Sequence, residues 1–175
     1  MPYEVISRES KYQGKAFSVR RDQLHLPDGG TVYLDIVEHV AAVTILPLGE
    51  QGQVWFVRQY RHPAGKNLLE LPAGTVEAGE APEACARREI REETGMAAGK
   101  IIKIGEFFLA PGYSTEYMYV YLASDLAYDP LPGDQDEFLS VERFPLSEVN
   151  AMLRRGEIQD AKTIATLCLA QPFLK

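Results

Sequence analysis

Gly74-Thr75-Val76-Glu77-Ala78-Gly79-Glu80-Ala81-Pro82-Glu83-Ala84-Cys85-Ala86-Arg87-Arg88-Glu89-Ile90-Arg91-Glu92-Glu93-Thr94-Gly95-Met96 runs from a glycine-bearing loop into a helical pattern and a helix stop. Pro82 suits the first helical position, Glu83 the positive end of the helix dipole and Gly95 the left-handed terminator, so the spacing predicts a helix from about Pro82 to Thr94. At about 100° per residue, Glu89, Glu92 and Glu93 stand at i, i+3 and i+4 and project from one side of it. Like charges at that spacing repel. Alone, the face reads as solvated and steadied by local pairs such as Glu83 with Arg87. The surroundings point elsewhere: Leu71-Pro72-Ala73-Gly74 enters the segment and Glu80 precedes the helix, setting backbone carbonyls beside clustered carboxylates. Hard cations such as Mg2+ or Mn2+ take oxygen ligands of this kind, and one held there would relieve the repulsion and polarise a phosphoryl oxygen or a water.

Outward from this segment, strands are expected at Glu4–Ser7, Ala16–Arg20 and Thr31–Val37, the last entered through the turn Pro27-Asp28-Gly29-Gly30. Ala41–Leu46 and Val54–Tyr60 read as a strand pair joined through Gly49-Glu50-Gln51-Gly52, followed by a loop bearing Pro63, Gly65, Pro72 and Gly74. After the helix, strands are predicted at Lys100–Phe108 and Tyr117–Ala123, a polar loop at Leu126–Phe138, a strand at Phe138–Phe144, and helices at Leu146–Arg155 and Ala161–Leu169. Strands and helices interleave without regular βαβ alternation, which indicates an α+β fold: a mixed sheet between helices, preceded by an N-terminal antiparallel extension.

The chain has 175 residues, 46% hydrophobic and 25% charged, with net charge -7 and pI near 5.0, enough for one substantial core. That acidity argues against a nucleic-acid binder, which needs a clustered positive surface. No apolar run approaches the roughly 18 residues of a membrane span, and Met1-Pro2-Tyr3-Glu4-Val5 lacks a signal-peptide layout, so a cytoplasmic protein without a membrane partner is expected. Cys85 and Cys168 read as small packing residues, and His25, His39 and His62 show no ligand spacing.

The quoted segment is identified as a Nudix box, Gly-x5-Glu-x7-Arg-Glu-U-x-Glu-Glu-x-Gly-U with U apolar. Gly74, Glu80, Arg88, Glu89, Ile90, Glu92, Glu93, Gly95 and Met96 fill every defined position. Seven fixed matches at one start have a chance likelihood on the order of one in 10⁸ at average residue frequencies. The resemblance implies a Nudix-type fold and metal-dependent hydrolysis of a diphosphate linked to another moiety. It makes Glu89 and Glu93 principal metal ligands, Glu92 a ligand or catalytic partner of the metal's water, and the Ala73 carbonyl the completion of the shell. Arg88 is expected to hold the glutamates by salt bridging, Glu80 to be structural or a secondary metal contact, and Mg2+, or Mn2+, to be the cofactor.

Outside the box, some forty residues of strand precede the core, Leu109-Ala110-Pro111-Gly112-Tyr113-Ser114-Thr115-Glu116 resembles a turn of ADP-ribose pyrophosphatases, and Gly156–Ile164 resembles a helix start of ADP-ribose and GDP-mannose hydrolases. These likenesses imply residues 1–40 as a dimerisation extension, residues 41–175 as the hydrolase domain, and a homodimer. They place Arg61 on the substrate's phosphates, Glu70 toward the substrate or metal, and Pro111 and Gly112 in substrate binding. Phe17, Tyr33, Tyr60 and Tyr113 are candidates for base stacking, although aromatics in strands more often fill cores.

The expected reaction is cleavage of a nucleoside diphosphate sugar, ADP-ribose first, to AMP and ribose 5-phosphate. GDP-mannose is the alternative substrate, and a non-catalytic ligand sensor is the alternative of another class. Relatives carry the base on an acidic loop, here Gly133-Asp134-Gln135-Asp136-Glu137, which makes Glu137 the first candidate and Asp136 the second; Glu92 or a metal-activated water would serve without a loop base. Gln135 departs from the family's glutamates because an amide takes up no proton near neutral pH. His39-Val40-Ala41-Ala42 departs from the Pro-Gly pair common in relatives. Residues 74–96 carry six acids and three bases, and residues 134–137 carry three acids and no base, so these two segments hold -6 of the net -7.

Overall fold

A computed structural model describes residues 3–133 and 138–174. The chain folds as two units, residues 1–41 with 108–117, and residues 42–107 with 118–175.

In the first unit, β1 (Glu4–Gln13), β2 (Ser18–His25) and β3 (Thr31–Glu38) form an antiparallel sheet in that order. Strand β2 runs later than the predicted Ala16–Arg20, because its polar residues are paired across the sheet with β3: Arg21 bonds Asp35 through two N–H groups (2.7 and 2.9 Å) and Arg20 bonds Glu38, while Arg20 also bonds the buried Asp22 of its own strand (2.9 Å). The 108–117 turn docks on β3, with Val37 N–H donating to the Tyr113 carbonyl (2.8 Å) and Thr115 N–H to the Val37 carbonyl (2.9 Å). Pro111 and Gly112 lie exposed at its tip. Every position of β1 is exposed.

The second unit contains β4 (Ala42–Pro47), β5 (Gln53–Arg61), β6 (Lys66–Glu70), β7 (Ala73–Thr75), α1 (Pro82–Thr94), β8 (Met96–Phe108), β9 (Tyr117–Tyr128), β10 (Leu139–Pro145), α2 (Leu146–Arg155) and α3 (Ala161–Ala170), the ends of β8 and β9 passing into the first unit. Four strands form a mixed sheet in the order β7-β4-β9-β8, with β4 and β9 parallel, and three form a second sheet in the order β10-β5-β6.

Strand β4 is buried at every position, so its alternation divides two cores. Val43 and Ile45 pack with Cys85, Ala86 and Ile90 of α1. Leu46 packs with Phe56 and Leu69 of the second sheet, Val149 and Met152 of α2, and Leu167 of α3. Burying an aliphatic side chain of this size contributes about 1.5–3 kcal/mol, which fixes α1 against the sheet through Ile90. The expected mixed sheet between helices is what the chain forms.

Two strands stand between residues 62 and 76, where the prolines and glycines predict only loop. Strand β6 carries Lys66, Asn67 and Glu70, weak strand formers, and exists by pairing with β5; β7 is three residues long and pairs with β4. Strand β8 begins at Met96 rather than Lys100, and β9 extends to Tyr128. Cys85 is buried as expected, whereas Cys168 is exposed on the outer side of α3. Phe17, Tyr33, Tyr60 and Tyr113 are all exposed, so none fills a core. Among the described residues, no helix is long and apolar enough to cross a membrane.

Candidate active site

Helix α1 begins after Ala81 with Pro82 and ends at Gly95, which takes φ 73° and donates its N–H to the Arg91 carbonyl (3.0 Å). Its apolar stripe, Cys85, Ala86 and Ile90, faces the sheet. Glu89, one position before Ile90, stands at about -100° from it and Glu93, three positions after, at about 300° or -60°, so the two fall side by side within the arc spanned by Cys85, Ala86 and Ile90. Both are buried, at 8% exposure each, while Glu92 lies further round with a 23% exposed side chain.

The loop before the helix is shaped to the same carboxylates. A β-carbon on Gly74 would stand 2.0 Å from the Glu89 carboxyl, so glycine is required for Glu89 to lie against β7. Glu93 Oε2 accepts the Ala73 N–H (3.1 Å), tying the last turn of α1 to the same strand. Arg88 joins the rest. Its Nε and Nη2 form a fork on Glu80 (3.0 Å each), Nη1 donates to Glu89 (2.7 Å) and Glu92 (2.9 Å), and Nη2 reaches the Thr75 carbonyl (3.3 Å). The Arg88 hydrogen bonds hold the Glu80 carboxyl at about 2, well below the usual carboxylate range, and Glu80 in turn raises the guanidinium's pKa. Glu80 is therefore Arg88's principal partner, with its Oε2 also accepting the Glu77 N–H (3.0 Å).

A second cluster stands at the ends of β5 and β6. Arg61 donates from Nε and Nη2 to the two oxygens of Glu70 (2.7 Å each), and Lys162 of α3 bonds the same carboxylate. Glu70 is 1% exposed; burial opposes its ionisation, but the Arg61 hydrogen bond and the charge of Lys162 outweigh it and leave its pKa lowered. The Glu70 bond raises the pKa of Arg61 against burial, with further contributions from the charges of Glu93 and Asp160, which places this cation within the field of the carboxylate helix. Asp160 caps α3 by accepting the Thr163 N–H (2.9 Å) and pairs with Lys162 (3.0 Å), and Thr163 Oγ1 accepts the Leu71 N–H (2.8 Å). The start of α3 thus fixes the chain just ahead of Ala73.

The structure brings together Arg61, Glu70, Ala73, Arg88, Glu89, Glu92 and Glu93 within the second unit; Pro111 and Gly112 belong to the first. Glu137 and Asp136 lie outside the described residues. Sequence reasoning missed Lys162, Asp160 and Thr163, although Asp160 directly before a helical pattern was a legible cap. Among the described residues, no three acidic, His or Cys side chains close around one point. The donor set nevertheless fits a hard cation: three carboxylates from one helix face, backed by a backbone strand, with a glycine where any side chain would fill the space.

The NUDIX domain profile matches residues 38–167. The chain belongs to the Nudix family. It is 35% identical over 162 residues to an ADP-ribose pyrophosphatase of Bacillus subtilis, covering 91% of this chain and 88% of that one. It is 39% identical over 166 residues to an ADP-ribose pyrophosphatase of Mycobacterium tuberculosis, covering 93% and 80%. A crystal structure described as an ADP compounds hydrolase superposes with a TM-score of 0.90 at 24% identity, over 99% of this chain and 95% of that one, which bears out the fold. Nudix hydrolases work with divalent metal ions, in keeping with the oxygen-rich face of α1.

Proposed function

We propose that this Nudix chain is a magnesium-dependent pyrophosphohydrolase of the cytoplasm that cleaves ADP-ribose to AMP and ribose 5-phosphate. The observation that carries the reading is the pairing of the carboxylate face of α1 with Arg61, a cation held by a two-bond fork on buried Glu70. The identity of 35–39% to ADP-ribose pyrophosphatases over most of the chain supports the choice of substrate. Glu89, Glu92, Glu93 and the Ala73 carbonyl are the proposed ligands. A divalent cation there supplies positive charge to the diphosphate and lowers the pKa of the attacking water.

The chain's own residues do the remainder. Arg88 keeps Glu89 and Glu92 in register. Lys162 shares the Glu70 charge, so that Glu70 orients Arg61 without cancelling it, and Arg61 meets phosphate charge as the P–O bond to the leaving group breaks. Glu137 is the proposed acceptor of the water's proton. For Pro111 and Gly112, the support is the likeness of the Leu109–Glu116 turn to that of ADP-ribose pyrophosphatases.

Purified protein is expected to turn over ADP-ribose in Mg2+ at least tenfold faster than GDP-mannose, NADH, diadenosine polyphosphates or nucleoside triphosphates, and to stop when the metal is chelated. No turnover of any of them would sink the enzyme reading; preference for GDP-mannose or triphosphates would sink the substrate.

The homodimer belongs to the same proposal. Residues 1–40 expose Tyr3, Val5, Ile6, Tyr12, Tyr33 and Leu34 on a sheet whose first strand has no buried position. Light scattering on the eluting protein should give about twice the chain's 19.5 kDa, and a monomer at micromolar concentration would refute it.

A further inference from the structure

The last turn of α1 carries Glu92 and Glu93, and a helix end is where backbone order is weakest, because its final carbonyls have no partner within the helix. Here the segment leaving β9 is strapped across that end. Arg91 Nε donates to the Asp129 carbonyl (2.9 Å) and its Nη2 pairs with the Asp129 carboxylate (2.9 Å). Asp129 N–H donates to the Gly95 carbonyl (3.0 Å), and Leu131 N–H makes a longer contact to the Arg91 carbonyl (3.4 Å). The strap also packs closely: a β-carbon on Gly95 would meet the Tyr128 ring at 3.3 Å, and one on Gly133 would meet the Glu92 carbonyl at 3.4 Å. One side chain therefore grips both the backbone and the carboxylate of the same strap residue, one position before the first glutamate of the turn.

We infer that Arg91 is a positioning residue for the metal-binding turn: through Asp129 it fixes residues 128–133 on the end of α1 and so fixes Glu92 and Glu93. The inference rests on the metal reading of the helix. Oxygen ligands set a few tenths of an ångström off the productive geometry bind a cation worse, and supporting residues of this kind carry about 10–100-fold in metal affinity or activity. Arg91 bonds Asp129 of the strap and acts through the turn.

The test is a magnesium titration of the melting temperature without substrate. In Arg91→Ala the Mg2+ concentration at half-effect should rise about tenfold, matched by a rise in the Mg2+ needed for half-maximal turnover, with little change in KM for substrate at saturating metal. Arg91→Lys should recover part of the loss, because an ammonium can pair with the Asp129 carboxylate but reproduces only part of the grip. Arg155→Ala, which breaks a surface ion-pair network on α2 with Glu148 and Glu157, should leave the magnesium midpoint unchanged. A midpoint in Arg91→Ala within twofold of wild type, whatever the fall in metal-free melting temperature, overturns the inference alone. A wild-type protein whose melting temperature ignores magnesium overturns the metal reading and this inference with it.

Discussion

Glu93→Gln lowers kcat by about a thousandfold at saturating magnesium and leaves the metal-free protein folded; this is the largest effect expected of any single substitution in the chain. Glu93 is buried, and its Oε2 accepts the Ala73 N–H. The amide of glutamine has the same shape and keeps a carbonyl oxygen for that bond, so β7 and α1 stay joined. What disappears is one negative charge and one anionic ligand. Removing one of three like charges relieves repulsion, so the melting temperature in chelator should equal or exceed that of wild type, while the rise on adding magnesium should shrink. Glu92→Gln should fall in the same direction. Steady-state kinetics with melting curves in chelator and in magnesium check this, and turnover within tenfold of wild type in both variants would refute the metal helix.

What could be read from sequence, and what could not, follows from how far apart the interacting residues stand. A helix converts sequence interval into angle, so Glu89, Glu92 and Glu93 could be set on neighbouring faces of α1 from spacing alone, and Pro82 and Gly95 bounded it correctly. The same arithmetic placed all three on one side without showing that Glu89 and Glu93 are buried among the apolar residues, because depth depends on what the sheet presents to the helix. The Glu80–Arg88 fork crosses from loop to helix over eight residues, an interval that no periodicity relates. Glu70 was legible as a candidate, but its second cation, Lys162, is 92 residues away and reaches it only because α3 packs on β4. Strands β6 and β7 were hidden for a related reason. Short segments of weak propensity between prolines become strands when a neighbour offers a ladder. The family motif made up part of this deficit by naming Ala73 and Gly74, and the close approach of Gly74 to Glu89 supplies the physical reason a glycine stands there.

Arg88→Met should show the other large effect, and its pH dependence separates charge from packing. The methionine retains most of the apolar stem and removes the guanidinium, leaving Glu80, Glu89 and Glu92 without the cation they share. The Arg88 side chain is 25% exposed and that of Glu80 15%, so the loss is smaller than for a fully buried pair, about 2 kcal/mol near neutral pH. In the wild type, the Arg88 hydrogen bonds, with a smaller part from the Glu77 N–H, depress Glu80 from its usual 4.5 to about 2. A carboxyl depressed in the folded state stabilises fully above its unfolded value and loses that contribution as the pH falls toward its folded one. Wild-type stability should therefore drop between about pH 4.5 and pH 2 in part through Glu80, whereas the variant should lose the Arg88 share of that component and keep the smaller one from the Glu77 N–H bond. The gap between the two in urea denaturation should be widest above about pH 5 and should narrow as acid neutralises the carboxylates. A gap that stays constant with pH would assign the effect to lost packing of the side chain. Activity should fall about 10–100-fold, as expected when ligands lose the group that orients them, and Arg88→Lys should recover charge but not the two-bond fork, placing it between the two. The ordering wild type, Lys, Met in both acid resistance and turnover is what a shared guanidinium requires, because one group lowers the Glu80 pKa through Nε and Nη2 and holds Glu89 and Glu92, the proposed metal ligands, through Nη1.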